Sequence, residues 1–412
     1  MRINNQTAAK YLLGLTVLLF LFFPALDLIR PFHIGLLPLI LLLIIKPMSV
    51  FNLIVVFILI FVSFLSLLVT FEDVRIPTIG FIWSALPLCF VFIGFSYAKS
   101  LNFTVIEIKV FSYVLAVVGV FFVLVQIIYP SSSIMEPYLA LTSHSSVLDR
   151  YTMIIAPTGN PNMTGLLLAL IIVLVSLYLR VSEHTSQNFF LKIMIFILLV
   201  GIIFCFARTV LAAVLIFLFV LLFLQYSKKI TQLFISIAAF SFVLVAFFYL
   251  RDSNERFITY FSTIFAFYDD NSFVARFENW FLTLELIQDY PLSILFGLSQ
   301  YEALFFSLKG TSVVDSNYLY IFLNHGFIIL LILVGVCVFK SLKNSFYFSL
   351  LVFLLITSIT IPYLSDYRIG FFIGFIYGVA QNLLSKNSLI QKNEHEHIAN
   401  RRGIKSIQDE SI

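Results

Sequence analysis

Three stretches hold the residue types that group-transfer chemistry needs. Asp315 stands just ahead of Ser316-Asn317-Tyr318, where a polar segment gives way to an apolar run. Arg208 sits between two apolar runs, in Phe206-Ala207-Arg208-Thr209. Arg276 lies one helical turn before Trp280 in SFVARFENWFLTLELIQDY, residues 272–290. A carboxylate can take the proton of an attacking hydroxyl. A guanidinium is a planar fork of donors that holds phosphate oxygens in pairs, and it stays charged beside lipid where lysine can lose its proton. The arginines suit an anionic, phosphate-bearing ligand whose leaving charge they could steady, and Asp315 could serve as a base or as a helix cap. Arg150, Arg251, Arg256 and Arg368 are further candidates for holding a diphosphate, and Asn160 and Tyr318 for touching the rest of the ligand.

Each candidate also has a plainer account. Arginine tolerates membrane interfaces by laying its stem along apolar surface and keeping its head in water. Arg276 has Glu278 and Asp289 nearby to pair with, and Arg368 has Asp366. Asp315 is well suited to cap the helix that follows it. Gly159-Asn160-Pro161-Asn162 reads as a helix start, with Asn160 as cap and Pro161 in the first turn. His325, in mid-helix beside Gly326, reads as a packed histidine. Cys89, Cys205 and Cys337 are scattered through apolar runs without metal-ligand spacing and read as small hydrophobes. The Glu394-His395-Glu396-His397 run belongs to a polar, solvated tail. Neither a metal nor a cofactor is expected.

The elements that must position these residues follow from composition. The chain is 61% hydrophobic and 11% charged over 412 residues, whereas a soluble domain carries about 25% charged residues. The apolar residues fall in blocks near the 17–25 residues that cross a bilayer. The expectation is an all-α polytopic membrane protein of about 12 transmembrane helices. They run over 11–28, 32–45, 50–71, 78–97, 106–129, 162–179, 190–207, 210–226, 231–250, 317–338, 346–362 and 369–384. The second contains Pro38 and is short enough to be half-buried or tilted. Arg2 and Lys10 precede an apolar run with no small-residue cleavage site after it, so the first block is expected to be an uncleaved span. Residues 1–384 form one integral membrane domain and 385–412 a cytoplasmic polar tail. The spans are read as continuous, with no broken helix and no internal repeat.

Orientation comes from the short loops. Lys10, Lys46, Lys99, Arg180, Lys228, Lys229, Lys340 and Lys343 fall on one side, against Arg30, Arg75, Arg208 and Arg368 on the other. The positive-inside rule puts both termini in the cytoplasm. The two long loops, about 130–161 and 251–316, then lie outside. The second, between the ninth and tenth spans, interleaves Phe, Trp and Leu with ions and predicts amphipathic helices at the membrane surface. Outside cations are almost all arginine, with Lys309 the one lysine. No basic tract could follow a nucleic-acid backbone. No Walker-type glycine loop appears, and the inner loops are too short to house a catalytic domain. Group transfer outside therefore needs a donor that crossed the membrane already activated, and a polyprenyl diphosphate sugar meets that need.

At three places the residues resemble the O-antigen polymerase and O-antigen ligase superfamily of membrane glycosyltransferases. Phe206-Ala207-Arg208-Thr209 with Leu211-Ala212 is similar to the family's Ser-Arg-Thr stretch. Arg276 with Trp280, then Asp289-Tyr290-Pro291 and Gly297, resembles its Arg-rich loop ending in an Asn/Asp-Pro-x-x-Gly-type turn. Asp315-Ser316-Asn317-Tyr318-Leu319 with Gly326 resembles the segment that re-enters the membrane. The likeness covers roughly 159–340 by pattern and the rest by topology. Ligases of this family carry a functional His where this chain has Asp315, and Ile329 replaces a helix-packing Gly. The polymerase (Wzy-type) branch is the better match.

The resemblance implies an inner-membrane polysaccharide polymerase that moves a polyprenyl diphosphate-linked glycan onto a second lipid-linked repeat unit at the periplasmic face. Its surroundings would be membrane lipid and the chain-length regulator and flippase of the same pathway. The rivals are an O-antigen ligase acting on lipid A-core, a polysaccharide flippase, and a purely structural subunit. Reporter fusions test the frame on which all of this rests. A fusion after Lys228 is expected to report cytoplasm and one within 269–272 periplasm; both on one side would overturn the site assignment.

Overall fold

The computed structural model describes residues 5–23, 34–69, 80–128, 157–158, 160–182, 188–205, 207–226, 281, 285, 288, 291–298, 316–342 and 344–385. Regular structure among them is helical, with no strand. The helices are α1 (Asn5–Phe22), α2 (Leu36–Ile45), α3 (Val50–Val69), α4 (Gly80–Leu101), α5 (Val105–Ile128), α6 (Pro161–Val181), α7 (Phe189–Phe204), α8 (Arg208–Tyr226), the one-turn α9 (Ser293–Phe296), α10 (Asn317–Ser341), α11 (Ser345–Ser358), a 3-10 turn (Tyr363–Ser365) and α12 over residues 367–385. Each expected span within the described residues is helical; the ninth, 231–250, lies outside them. Four helices, α1, α5, α6 and α10, are long and apolar enough to cross a membrane by length and composition. α2 has only 10 residues and begins two positions before Pro38.

α6 is the centre. Every residue from Thr164 to Tyr178 on it is buried, and a helix that is apolar all round belongs in the interior of a bundle. α5, α7 and α8 pack around it, and α11 packs on α8. The outward face of α3 presents Phe51, Leu53, Ile54, Phe57 and Ile58, as a lipid-facing surface would.

A glycine seam joins α4 to α12. Gly370, Gly374 and Gly378 recur every fourth residue, so they line one face of α12. A Cβ on Gly378 would lie 2.5 Å from the Phe95 carbonyl oxygen and 2.7 Å from Ala98 Cβ, and one on Gly370 would lie 3.0 Å from the Pro87 carbonyl oxygen. Gly374 faces the Val91 carbonyl, and Gly94 on α4 faces that of Phe371. Small residues at such a seam let two backbones approach, which supplies the van der Waals attraction that lipid does not compete away. Beyond it Phe20, Phe90, Tyr367 and Phe371 pack edge-on or tilted.

Side-chain bonds sort the helix ends. Lys10 Nζ meets Glu107 at 2.8 Å, Lys46 Nζ donates to Ser100 O at 3.1 Å, and Asn382 Nδ2 donates to Ala98 O and Lys99 O at 2.9 Å each. Arg180 Nη2 donates to Ser345 Oγ at 2.6 Å, and Tyr347 stacks on Tyr377. Lys10, Lys46, Lys99 and Arg180 therefore share one end of the bundle. Partial burial, with Lys10 close by, pushes the Lys46 ammonium down from the ordinary lysine range. Glu107 and Thr104 close a reciprocal cap at the start of α5.

α10 departs from the continuous span expected of it. Gly326, at φ 76° and ψ 178°, breaks the helix after nine residues. The reason is a second chain segment. Residues 293–298 wedge between α3 and α10, where Leu298 N–H donates to Leu323 O. Gly297, itself at φ 79°, sits against the backbone of Asn324 and His325, while Gly326 sits against that of Leu295 and Phe296. Both positions need glycine, because the φ is left-handed and a Cβ has no room. Of the described residues in the expected surface loop, Phe281, Leu292, Ile294 and Leu295 are exposed, while Ser293, Gly297 and Leu298 are buried against the bundle.

Overpacking a core typically costs about 1–3 kcal/mol. Gly374→Leu would drive a side chain into the Val91 carbonyl, and at least ~2 kcal/mol of stability is expected to be lost. Gly335, with nothing within 4 Å of its Cβ position, is the control: Gly335→Leu should melt in detergent as the parent does. Equal melting temperatures for both variants would remove the seam from the account.

Candidate functional site

The end opposite the lysines is where α6, α8, α10 and α12 begin. Asn160, Arg208, Tyr318 and Arg368 each stand at the cap or in the first turn of one of these helices. The starts are tied together. A Cβ on Gly165 of α6 would lie 2.8 Å from Ala207 Cβ, just before α8. Ser316 Oγ donates to Ser358 O at 3.2 Å, and Asn317 Oδ1 accepts the Leu364 N–H at 3.0 Å, joining α10 to the end of α11 and the turn before α12.

Arg208 is half-buried and opens α8. Ala207 O accepts the Leu211 N–H at 2.9 Å, which makes Ala207 the cap. Alanine has no side-chain oxygen for the first-turn N–H groups. A helix carries roughly half a positive charge at its N-terminus, so a cation there is disfavoured. An anion at this helix start would meet both the guanidinium and the first-turn N–H groups.

The other described candidates have structural duties. Asn160 Oδ1 accepts from Asn162 N–H at 2.9 Å and Met163 N–H at 3.3 Å, the cap expected of it, and Thr158 Oγ1 braces the same turn through Asn160 O and Thr164 Oγ1, each at 2.8 Å. Tyr318 Oη donates to Leu355 O at 2.8 Å. Asp366 caps α12 and takes the Arg368 guanidinium in a two-pronged pair, Nη2 to Oδ2 at 2.6 Å and Nε to Oδ1 at 2.9 Å. Arg368 therefore brings little uncompensated charge to a ligand. Ser358 Oγ lies 2.8 Å from Tyr363 Oη, and burial pushes that phenol's pKa well up, so it stays protonated.

Asp315, Arg276, Arg150, Arg251 and Arg256 lie outside the described residues. The cap position of α10 is Ser316, in extended conformation at φ −152° and ψ 131°, and its hydroxyl makes no capping bond.

Two features went unread in the sequence. Gly297 and Gly326 each belonged to a family-like stretch, but nothing paired them; here they are in reciprocal contact. His325, 1% exposed, stands at the break rather than inside a continuous helix, with Nδ1 3.3 Å from Ser63 Oγ of α3. Ser63, one of two serines in an apolar run, carried no signal. Among the described residues no three His, Cys, Asp or Glu side chains come together as a metal site.

No protein-family model matches the chain, and no curated protein or solved structure matches it.

If Arg208 holds a diphosphate, charge alone will not serve. Arg208→Lys is expected to lower polymer yield about tenfold at matched protein level, the scale of one strong charge-assisted bond. A normal glycan ladder would return Arg208 to an interfacial role.

Proposed function

We propose that this protein is a polysaccharide polymerase of the inner membrane that works on polyprenyl diphosphate-linked repeat units at the periplasmic face. The observation that carries the reading is the segregation of the ends: lysines gather at one, while Arg208 opens a helix at the other, the end where α10 also begins. Positive-inside bias makes the lysine end cytoplasmic and the Arg208 end periplasmic.

The reaction would run as follows. A hydroxyl of the acceptor unit attacks the anomeric carbon of the donor chain, and the bond from that carbon to the diphosphate oxygen breaks. The electron pair leaves with the polyprenyl diphosphate, whose added charge Arg208 and Arg276 neutralise. The hydroxyl proton passes to Asp315 as general base. An O-antigen ligase fits less well, because Asp315 stands where ligases carry His.

A second reading has one specific observation in its favour. Transporters build midplane sites from discontinuous helices, and α10 is discontinuous at Gly326 beside a buried histidine. A flippase for the same lipid-linked glycans is the reading that feature supports.

Deleting the gene separates the two. Loss of polymer with one repeat unit retained on the finished glycan indicates a polymerase; loss of every repeat unit indicates a flippase. Asp315→Asn then tests the base. Asn can cap a helix but cannot accept the proton, and losing a general base typically costs about 10²–10⁴ in rate. The variant should leave mainly single repeat units, and a full ladder from it would remove Asp315 from the chemistry.

A further inference from the structure

We propose that His325 and Ser63 are positioning residues: their hydrogen bond locks the foot of the first half of α10, and so holds the polar head of that half-helix, Ser316-Asn317-Tyr318, at the Arg208 end. The first half of α10 spans only residues 317–325. At about two and a half turns it is a short rod, and its placement depends on what grips its two ends. The head is gripped by three bonds to the end of α11 and the turn beyond it, from Ser316, Asn317 and Tyr318. The foot lies nine residues from Ser316, about 14 Å along the axis. There the chain leaves the helix at Gly326, and three contacts replace the missing continuation.

One contact is the Leu298 N–H on Leu323 O, and a second is the reciprocal seating of Gly297 and Gly326. Both bind α10 to residues 293–298. The third, His325 Nδ1 with Ser63 Oγ at 3.3 Å, is a side-chain bond that ties the foot to α3. Both residues are buried, Ser63 at 0% and His325 at 1%, so water does not compete for the bond. Asn324 cannot substitute, because its Nδ2 turns back to Tyr320 O at 3.1 Å. Through this bond α3, which also packs on α9, joins the unit that carries the candidate chemistry. That a shifted head impairs glycan transfer rests on the polymerase reading; that the bond holds the head does not.

The test therefore has a readout independent of glycan. Ser316→Cys, at a position 3% exposed, is labelled with a maleimide in purified, detergent-solubilised full-length protein, and the rate is taken above that of the parent. Ser63→Ala removes the bond with the smallest change in volume, and His325→Leu removes it from the other side. Each is expected to speed labelling about five- to tenfold, the change one lost buried hydrogen bond gives, and the double variant should go no faster. His325→Asn, whose amide reaches as far as Nδ1, should bring labelling back to within about twofold of the Ser316→Cys protein, the residual expected of an imperfect bond. An unchanged rate in Ser63→Ala, or His325→Asn behaving like His325→Leu, overturns the positioning role whatever the glycan does. Glycan ladders of Ser63→Ala and His325→Asn in the Ser316 background test the link to function. Polymer lost in the first and restored in the second supports it. Faster labelling with a normal ladder in Ser63→Ala overturns the functional half alone.

Discussion

A peptide N–H or C=O inside an apolar bundle must find a partner in the protein, since lipid offers none and an unmet group costs several kcal/mol. α10 breaks that ladder at Gly326, and the architecture around the break answers the cost. Residues 293–298 are set in as a second backbone, Leu298 supplies an N–H to Leu323, and two left-handed glycines make room for each other. Membrane proteins tolerate such irregular backbone where it is enclosed by protein or lines a cavity. This one packs against α3 and α10 with Ser293, Gly297 and Leu298 buried, while Ile294 and Leu295 stay exposed.

The same economy runs through the rest of the bundle. With no hydrophobic drive between helices in lipid, contact must come from close packing and from bonds between polar groups. α4 and α12 meet backbone to backbone along the Gly370, Gly374 and Gly378 face, opposite Gly94. α6 takes the centre because it is apolar on every side. Among the described residues the ion pairs lie at helix ends, where Lys10–Glu107 and Asp366–Arg368 mark opposite ends of the bundle.

Much of this was legible in the sequence, and what was not has a physical reason. The hydrophobic blocks, the Asn160-Pro161 helix start and the nearness of Asp366 to Arg368 are local signals. The described blocks are helical, four of them long enough to cross a membrane, and the helix start and the ion pair are both present. Arg208 was legible as a cation between two apolar runs, though not its place in the first turn of a helix with an alanine cap. The break in α10 was missed because a glycine within an apolar run reads as a packing residue. Its left-handed conformation depends on a segment some thirty positions upstream, a pairing with no periodic trace. Ser63 is more remote still, 262 residues from His325. The surface loop was drawn from amphipathic composition, which says that a segment has two faces but not that a glycine lets its end enter the bundle.

The arginine end, the half-helix head and the family-like stretches together support glycan transfer from a lipid diphosphate, while the broken helix leaves a transporter as the competing account. Reconstitution decides between them most directly. The purified protein is placed in liposomes with a lipid-linked repeat unit added to the outer leaflet. Products are read by mass spectrometry, and crossing by the loss of repeat units accessible to periodate outside. A polymerase yields a series of lipid-linked oligomers with one polyprenyl diphosphate released for each bond formed. Repeat units that stay single, yet cross the bilayer faster than in protein-free liposomes, would contradict the polymerase account.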